Sequence, residues 1–336
     1  MAEATDLPVG VRREAAPPER TVIVWTTRSL PVLFDLLDSI GLLAARLAPG
    51  DTEDFIAASG PPMLLLADPA LLDEPATAVL DRLRTRSGAP RVCALAGTDT
   101  SAASLLTAMR TGLTDVIDPA DPAAISALLG PAAGRERVLA IGAHPDDVEI
   151  GCGAALARHA LSGNPVTVLT LSRGGVGGNQ EQRRGEAVAA AITLGTQLLM
   201  ADLPDTRLGE APELVEIIEG VIAHLNPTTI YTHSEADNHQ DHRATHRGSI
   251  IAARRTPRVF CYQSPSSRNA FAPTRFIPCA DTLDTKLAAL ACYRSQSTRH
   301  YLDPELVVAT ARYWARQLPA QRYAEPFEVV RDTELQ

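Results

Sequence analysis

One pattern governs what this chain can become. Short apolar runs alternate with amphipathic helical stretches, and the rhythm runs twice. In the first pass "TVIVW", "PPMLLLAD", "RVCALAG" and "TDVID" have strand length. Between them "LPVLFDLLDSIG", "PATAVLDRLRTR" and "DTSAASLLTAMRTG" have helical spacing. Alternation of strand and helix specifies a parallel sheet covered on both faces. Five such units fit between residues 21 and 130. The stretch "GPAAGRER" breaks the pattern and reads as a linker. It then restarts with "RVLAIGA", "PVTVLTLS", "QLLMADL" and "TTIYTH" as strands, separated by helical stretches such as "EQRRGEAVAAAITLG". The expectation is an α/β protein of two doubly wound parallel-sheet domains. Residues 1–20 form a disordered tail, 21–130 a first domain, 131–137 a linker, and 138–330 a second domain ending in irregular structure and a C-terminal helix.

A length of 336 residues suits two domains. The net charge of -9 argues against a general affinity for nucleic acid, which needs a basic footprint. The five cysteines are scattered without a CxxC pair, which points to reduced thiols in a cytoplasm. The first twenty residues are charged and proline-rich, unlike a signal peptide. No apolar run approaches the ~20 residues that cross a bilayer. A soluble, cytoplasmic, bacterial protein with no membrane partner is expected.

Parallel sheets bind ligands outside the carboxyl ends of their strands. Two polar clusters stand at such ends. One is His144-Pro145-Asp146-Asp147; the other is "THSEADNHQDHRATH", which holds four of the eight histidines. Imidazole and carboxylate suit a borderline divalent ion such as zinc, and a catalytic zinc keeps three protein ligands and one open position. A plainer reading makes "PDD" a helix cap, because aspartate oxygens accept orphan N–H groups. His242 and His246, at i and i+4, offer a zinc pair of their own, but Arg243 follows His242 where a metalloprotease has its glutamate.

At these residues the chain resembles the LmbE-like, or PIG-L, family of zinc-dependent de-N-acetylases. "AHPDDVEIGCGA" and "THSEADNHQDH" carry the resemblance, and "SRGGVGGNQEQRRGEAVAAAITLG", "LPDTRL", "RSQS" and "YAEPF" extend it over residues 137–330. The resemblance implies a Rossmann-like fold, a Zn2+ cofactor and hydrolysis of an N-acetyl amide on an amino sugar or glycosylated small molecule. By the same resemblance His144, Asp147 and His242 are the zinc ligands, and Asp146 is the general base. His239 stabilises the oxyanion or protonates the amine, and Asp241 orients His239. Arg183 and Glu186 resemble a substrate-binding pair, a role that a structural Arg–Glu pair would equally explain. Tyr293 stands where many relatives have a histidine, a change expected at the pocket rim.

Residues 21–130 resemble, in element order and length, a response-regulator receiver, a flavodoxin-like domain. Asp68 stands where the phosphoacceptor would be. Thr26 and Thr27 replace the acidic pair, and Asp118 and Pro119 stand where the lysine belongs; Lys286, the only lysine, lies in the other domain. No phosphorylation site is expected. The domain reads as a pseudo-receiver for packing, homo-oligomer formation or partner contact, with Asp68 a strand-end cap. A regulatory or scaffold protein with a degenerate hydrolase domain is the second functional reading.

Overall fold

A computed structural model of the chain describes residues 7–15, 21–39, 42–59, 62–84, 90–98, 100–113, 115–129 and 136–333. Two compact units divide it: Met1–Pro17 with Glu136–Gln336, and Pro18–Arg135. The expected linker lies outside the described residues, apart from Glu136 and Arg137.

The chain enters through β1 (Arg12–Ala15). The unit that follows holds β2 (Thr21–Trp25), α1 (Pro31–Ser39), β3 (Leu43–Arg46), α2 (Thr52–Ser59) and β4 (Leu64–Ala67). It continues through α3 (Glu74–Arg84), β5 (Arg91–Leu95), α4 (Ala102–Arg110), β6 (Asp115–Ile117) and α5 (Pro122–Leu129). Its sheet is parallel throughout, in the order β3-β2-β4-β5-β6. Relative to chain order within the unit this is 2-1-3-4-5, the flavodoxin-like arrangement. β2 and β4 are buried along their whole length, as strands covered on both faces must be.

The larger unit holds β7 (Val138–Gly142), α6 (Asp147–Leu161), β8 (Val166–Ser172), α7 (Gln180–Leu194) and β9 (Gln197–Leu203). Then come α8 (Leu214–Leu225), β10 (Thr229–His233), α9 (Gln240–Ala252), β11 (Arg258–Tyr262) and β12 (Arg275–Pro278). It closes with α10 (Leu283–Leu290), α11 (Pro304–Ala315) and β13 (Ala324–Asp332). The strand order is β1-β9-β8-β7-β10-β11-β13-β12. Apolar layers cover both faces: Val168, Leu156 and Tyr231 belong to one, Leu169, Ile218 and Ile230 to the other.

Three expectations fail here. The sheet is mixed and not wholly parallel. β9, β8, β7, β10 and β11 run parallel, but β1 pairs antiparallel with β9, and β13 pairs antiparallel with both β11 and β12. The expected tail over 1–20 contains β1. Its sequence, "RREA", has no apolar signature because an edge strand is held by backbone pairing and needs little apolar surface. Buried Val11 and the Glu14–Arg184 ion pair at 2.8 Å help to fix it. The end of the chain is likewise more regular than expected, since the helix α11 leads into β13. Among the described residues no helix is long and apolar enough to cross a membrane.

Candidate metal centre

β7 runs buried to Gly142, and the chain then turns through His144, Pro145 and Asp146 into α6. Asp146 occupies the cap position with φ 95° and ψ -25°, a left-handed conformation that a non-glycine residue adopts at a cost. Its side chain makes no cap hydrogen bond. The plain helix-cap reading therefore fails for Asp146, whose carboxylate instead receives the Arg183 guanidinium at 3.2 Å. Asp147 turns the other way. Its Oδ2 accepts the His144 backbone N–H at 2.7 Å and lies 3.2 Å from His233 Nε2, while Oδ1 lies 3.3 Å from His242 Nε2. Behind this turn, Gly151 lets α6 approach the sheet, because a methyl group there would enter the Tyr262 ring.

The second cluster comes from the end of β10. His233 is the last strand residue, and α9 opens beyond it with His239 as its cap. His239 Nδ1 accepts the Asp241 backbone N–H at 3.2 Å, which leaves Nε2 as the nitrogen that carries a proton in the neutral ring. The Asp241 carboxylate does not hold His239 as expected. It accepts from Thr206 N at 2.7 Å and Leu208 N at 3.0 Å, and lies 3.1 Å from His144 Nε2. Buried Asp241 at the start of α9 thus anchors the loop after β9, and that loop brings Asp205 to 3.0 Å from His144 Nε2. His242 has its own orienting carboxylate, Asp237, 3.1 Å from Nδ1. Asp237 is itself held by the hydroxyls of Ser264 at 2.5 Å and Ser266 at 2.6 Å.

His144, Asp147 and His242 come together. Three overlapping groups have donor atoms within 4.8 Å of one another: His144 with His239 and His242, Asp147 with His233 and His242, and His144 with Asp205 and Asp241. The donor types fit a zinc ion in chemistry, with imidazole and carboxylate atoms close together in three overlapping groups. His233 Nδ1 is buried without a hydrogen-bond partner, while Nε2 accepts the Ala143 N–H at 3.3 Å beside Asp147 Oδ2. Asp205 and His233 are members that motif reading did not assign, and Asp237, which orients His242 from outside the groups, was not assigned either. His246 belongs to none of these groups; its Nδ1 lies 2.9 Å from the His233 carbonyl, so the i, i+4 histidine pair is not a site.

The field here is strongly negative. Burial opposes the charge on His144, yet Asp147, Asp205 and Asp241 outweigh it and raise its pKa well above the usual value. Burial also opposes the charge on His242, which Asp147 and Asp237 nonetheless lift to about 9. Burial pushes the Asp146 carboxyl up to about 8, with help from the Asp147 charge and against the pull of Arg183. For Asp147 burial is overcome by the neighbouring imidazoles of His242 and His233, and its pKa is lowered. Burial and the cationic His242 and His144 lower that of His239.

Arg183 spans the entrance turn. It donates to Pro145 O at 2.5 Å and to Gly174 O at 3.3 Å. Gly174, at φ 63°, and Gly177 leave room for the guanidinium, since a methyl at either would collide with it. Glu186 does not pair with Arg183; it accepts from Ser295 N at 2.8 Å and Oγ at 2.6 Å, tying α7 to the "RSQS" turn. Tyr293 is buried against Glu149 and is absent from the pocket lining, which corrects its expected place at the rim. The pocket has a volume of about 330 Å³, and Asp146, Asp147, His239 and His242 line it with Arg299 and Tyr301.

Residues 139–253 match the family model PIG-L, described as GlcNAc-PI de-N-acetylase. A protein of Escherichia coli (strain K12), described as uncharacterized deacetylase YaiS, is 36% identical over 179 residues, which make up 51% of this chain and 97% of that protein. The chain belongs to the PIG-L family. It is a PIG-L deacetylase, a metal-dependent amidohydrolase. The conserved protein TT1542 from Thermus thermophilus covers 60% of this chain and 97% of its own, at 30% identity and a TM-score of 0.53. The N,N'-diacetylchitobiose deacetylase of Pyrococcus horikoshii shares the PIG-L fold at 20% identity and a TM-score of 0.53, over 60% of this chain and 85% of that one. A 1D-myo-inositol 2-acetamido-2-deoxy-alpha-D-glucopyranoside deacetylase of Kineococcus radiotolerans is 37% identical over 92 residues, 24% of each chain.

Proposed function

We propose that the enzyme hydrolyses the N-acetyl amide of an amino sugar, or of a small molecule that carries one, releasing acetate and a free amine. The observation that carries this reading is the division of labour between Asp146 and Asp147 at one strand end. Asp147 faces the imidazoles, while Asp146 faces the pocket and Arg183. His144, Asp147 and His242 would hold the metal. When bound there, zinc supplies a Lewis acid for the amide oxygen and makes water a nucleophile near neutral pH.

The side chains account for the proton traffic. Asp146 takes the proton of the attacking water as the water oxygen bonds to the acetyl carbon. Asp146 hands that proton on to the departing nitrogen as the C–N bond breaks, and His239, which lines the same pocket, offers its Nε2–H as a hydrogen-bond donor to the oxyanion. Arg183 holds Asp146 in its left-handed conformation by bonding both its carboxylate and the preceding carbonyl. The acetylated sugar substrates named for relatives of this family support the substrate class.

The test pairs metal content with product. Purified protein should contain about one zinc per chain by elemental analysis, His144→Ala should lose it, and acetate should be released from N-acetylglucosamine derivatives. Full metal retention in His144→Ala rejects the ligand assignment. Zinc without acetate release from any such derivative rejects the substrate class.

A further inference from the structure

A second cavity of about 220 Å³ adjoins the catalytic pocket. Ile150, Pro265 and Tyr301 line both. Ile150 stands in the first turn of α6, close behind Asp147, so the two spaces meet beside the reacting centre. The far wall comes from one face of α11, with Leu306, Val307 and Ala311.

The polar side chains around this second space are turned to other work. The Gln263 carbonyl accepts the Trp314 indole N–H at 3.0 Å. Ser264 donates to Asp237, Ser267 accepts from the Ser264 N–H at 2.8 Å, and Thr310 donates to the Leu306 carbonyl at 2.8 Å. Its charged groups neutralise each other. Lys286 Nζ donates to Glu325 Oε1 at 2.6 Å and to the Ile150 carbonyl at 2.7 Å, and Glu325 Oε2 accepts from Ala155 N at 2.7 Å. What remains for a ligand is mainly aliphatic and aromatic surface. The catalytic pocket differs in its lining, which includes the carboxylates of Asp146, Asp147 and Asp205 and the imidazoles of His144, His239 and His242.

Building on the deacetylase reading, we infer that this cavity is a binding site for a short apolar group carried by the substrate. Its volume equals about seven groups of roughly 30 Å³, the share of one water molecule and close to that of a methylene. A six-carbon chain or one aromatic ring fills it. An ionic or heavily hydroxylated extension would lose its water there without gaining partners. The apolar group is attached either through the sugar or through the acyl carbonyl, since the shared wall of Ile150, Pro265 and Tyr301 favours neither end of the amide.

Three compounds test this: methyl N-acetylglucosaminide, its hexyl glycoside, and methyl N-hexanoylglucosaminide. At least one hexyl-bearing compound should show a KM about tenfold below the first, the worth of roughly two buried methylenes. The compound that gains identifies the end to which the group is attached. Leu306→Glu and Thr310→Trp alter exposed positions of α11, the first charging the cavity and the second filling it. Both should abolish the advantage and leave kinetics on the methyl acetyl compound unchanged. Equal KM values for all three compounds, or an advantage that survives both substitutions, would overturn the inference. If no compound is hydrolysed, the proposed reaction on these sugars fails separately. Calorimetry with the same intact compounds then decides the cavity by the same tenfold difference.

Discussion

Asp146 and Asp147 are neighbours that meet opposite surroundings. Asp147 is fastened to His144, His233 and His242, so its charge is committed. Asp146 is buried in an uncommon backbone conformation, with Arg183 as its partner and the pocket before it. The two should therefore fail differently. Asp146→Asn should keep its zinc and lose roughly 10²–10⁴-fold in turnover, the usual worth of a positioned acid–base group. Asp147→Asn should weaken zinc binding itself, because a neutral amide replaces an anionic donor. Chelator titration of both variants, with acetate release followed in parallel, checks the pair. Equal metal loss in the two, or full turnover in Asp146→Asn, would show that the division is wrong.

At the scale of elements, α6 carries the site, and it is not a continuous helix. Cys152, a little beyond Asp147, is non-helical (φ -146°, ψ 17°). The backbone groups around the break are satisfied from outside. Lys286 takes the Ile150 carbonyl, Thr282 the Ala154 carbonyl, and Glu325 the N–H groups of Ala154 and Ala155. Distant parts of the chain thus hold the first turn of α6 where Asp147 needs it. The ion pair is almost fully buried, with side-chain exposures of 8% and 3%. Lys286→Met leaves Glu325 charged and unpaired, and should cost about 3–5 kcal/mol. Lys286→Met with Glu325→Leu should recover part of the stability in denaturant melts, although the freed backbone groups of α6 remain. A single variant as stable as the native protein would contradict this account.

At the scale of the whole molecule, the N-terminal unit adds a second α/β sheet whose acidic strand end is already occupied. Asp68 is held by Arg28 Nε at 2.7 Å and by the Ala70 N–H at 3.2 Å, so it caps the turn after β4. Arg28 reaches on to the Leu95 carbonyl at 3.1 Å. The guanidinium neutralises the carboxylate, and Thr26 and Thr27 offer no anionic oxygen for magnesium. Incubation with a small phosphodonor and magnesium should leave the mass of the protein unchanged. A phosphoryl adduct that disappears in Asp68→Ala would refute that expectation.

The sequence by itself determined the strand–helix rhythm, the two α/β units and the two strand ends where chemistry gathers. These follow from local apolar periodicity and from residue types concentrated in short stretches. His144, Asp146, Asp147 and His242 were legible because each lies within a compact motif. Only the tertiary structure added Asp205, Asp237 and His233 to the centre. His233 and Asp237 share the stretch "THSEADNHQDH" with His242, and Asp205 lies in "LPDTRL", but the stretch alone does not say which of its side chains turn inward. The tertiary structure also moved Asp241 from His239 to the loop after β9, and Glu186 from Arg183 to Ser295. One-dimensional spacing does not say which way a buried carboxylate points. The edge strand β1 and the antiparallel β12 and β13 escaped for a related reason. Their stability lies in backbone pairing with β9, with β11 and with each other, and a partner far along the chain leaves no local mark.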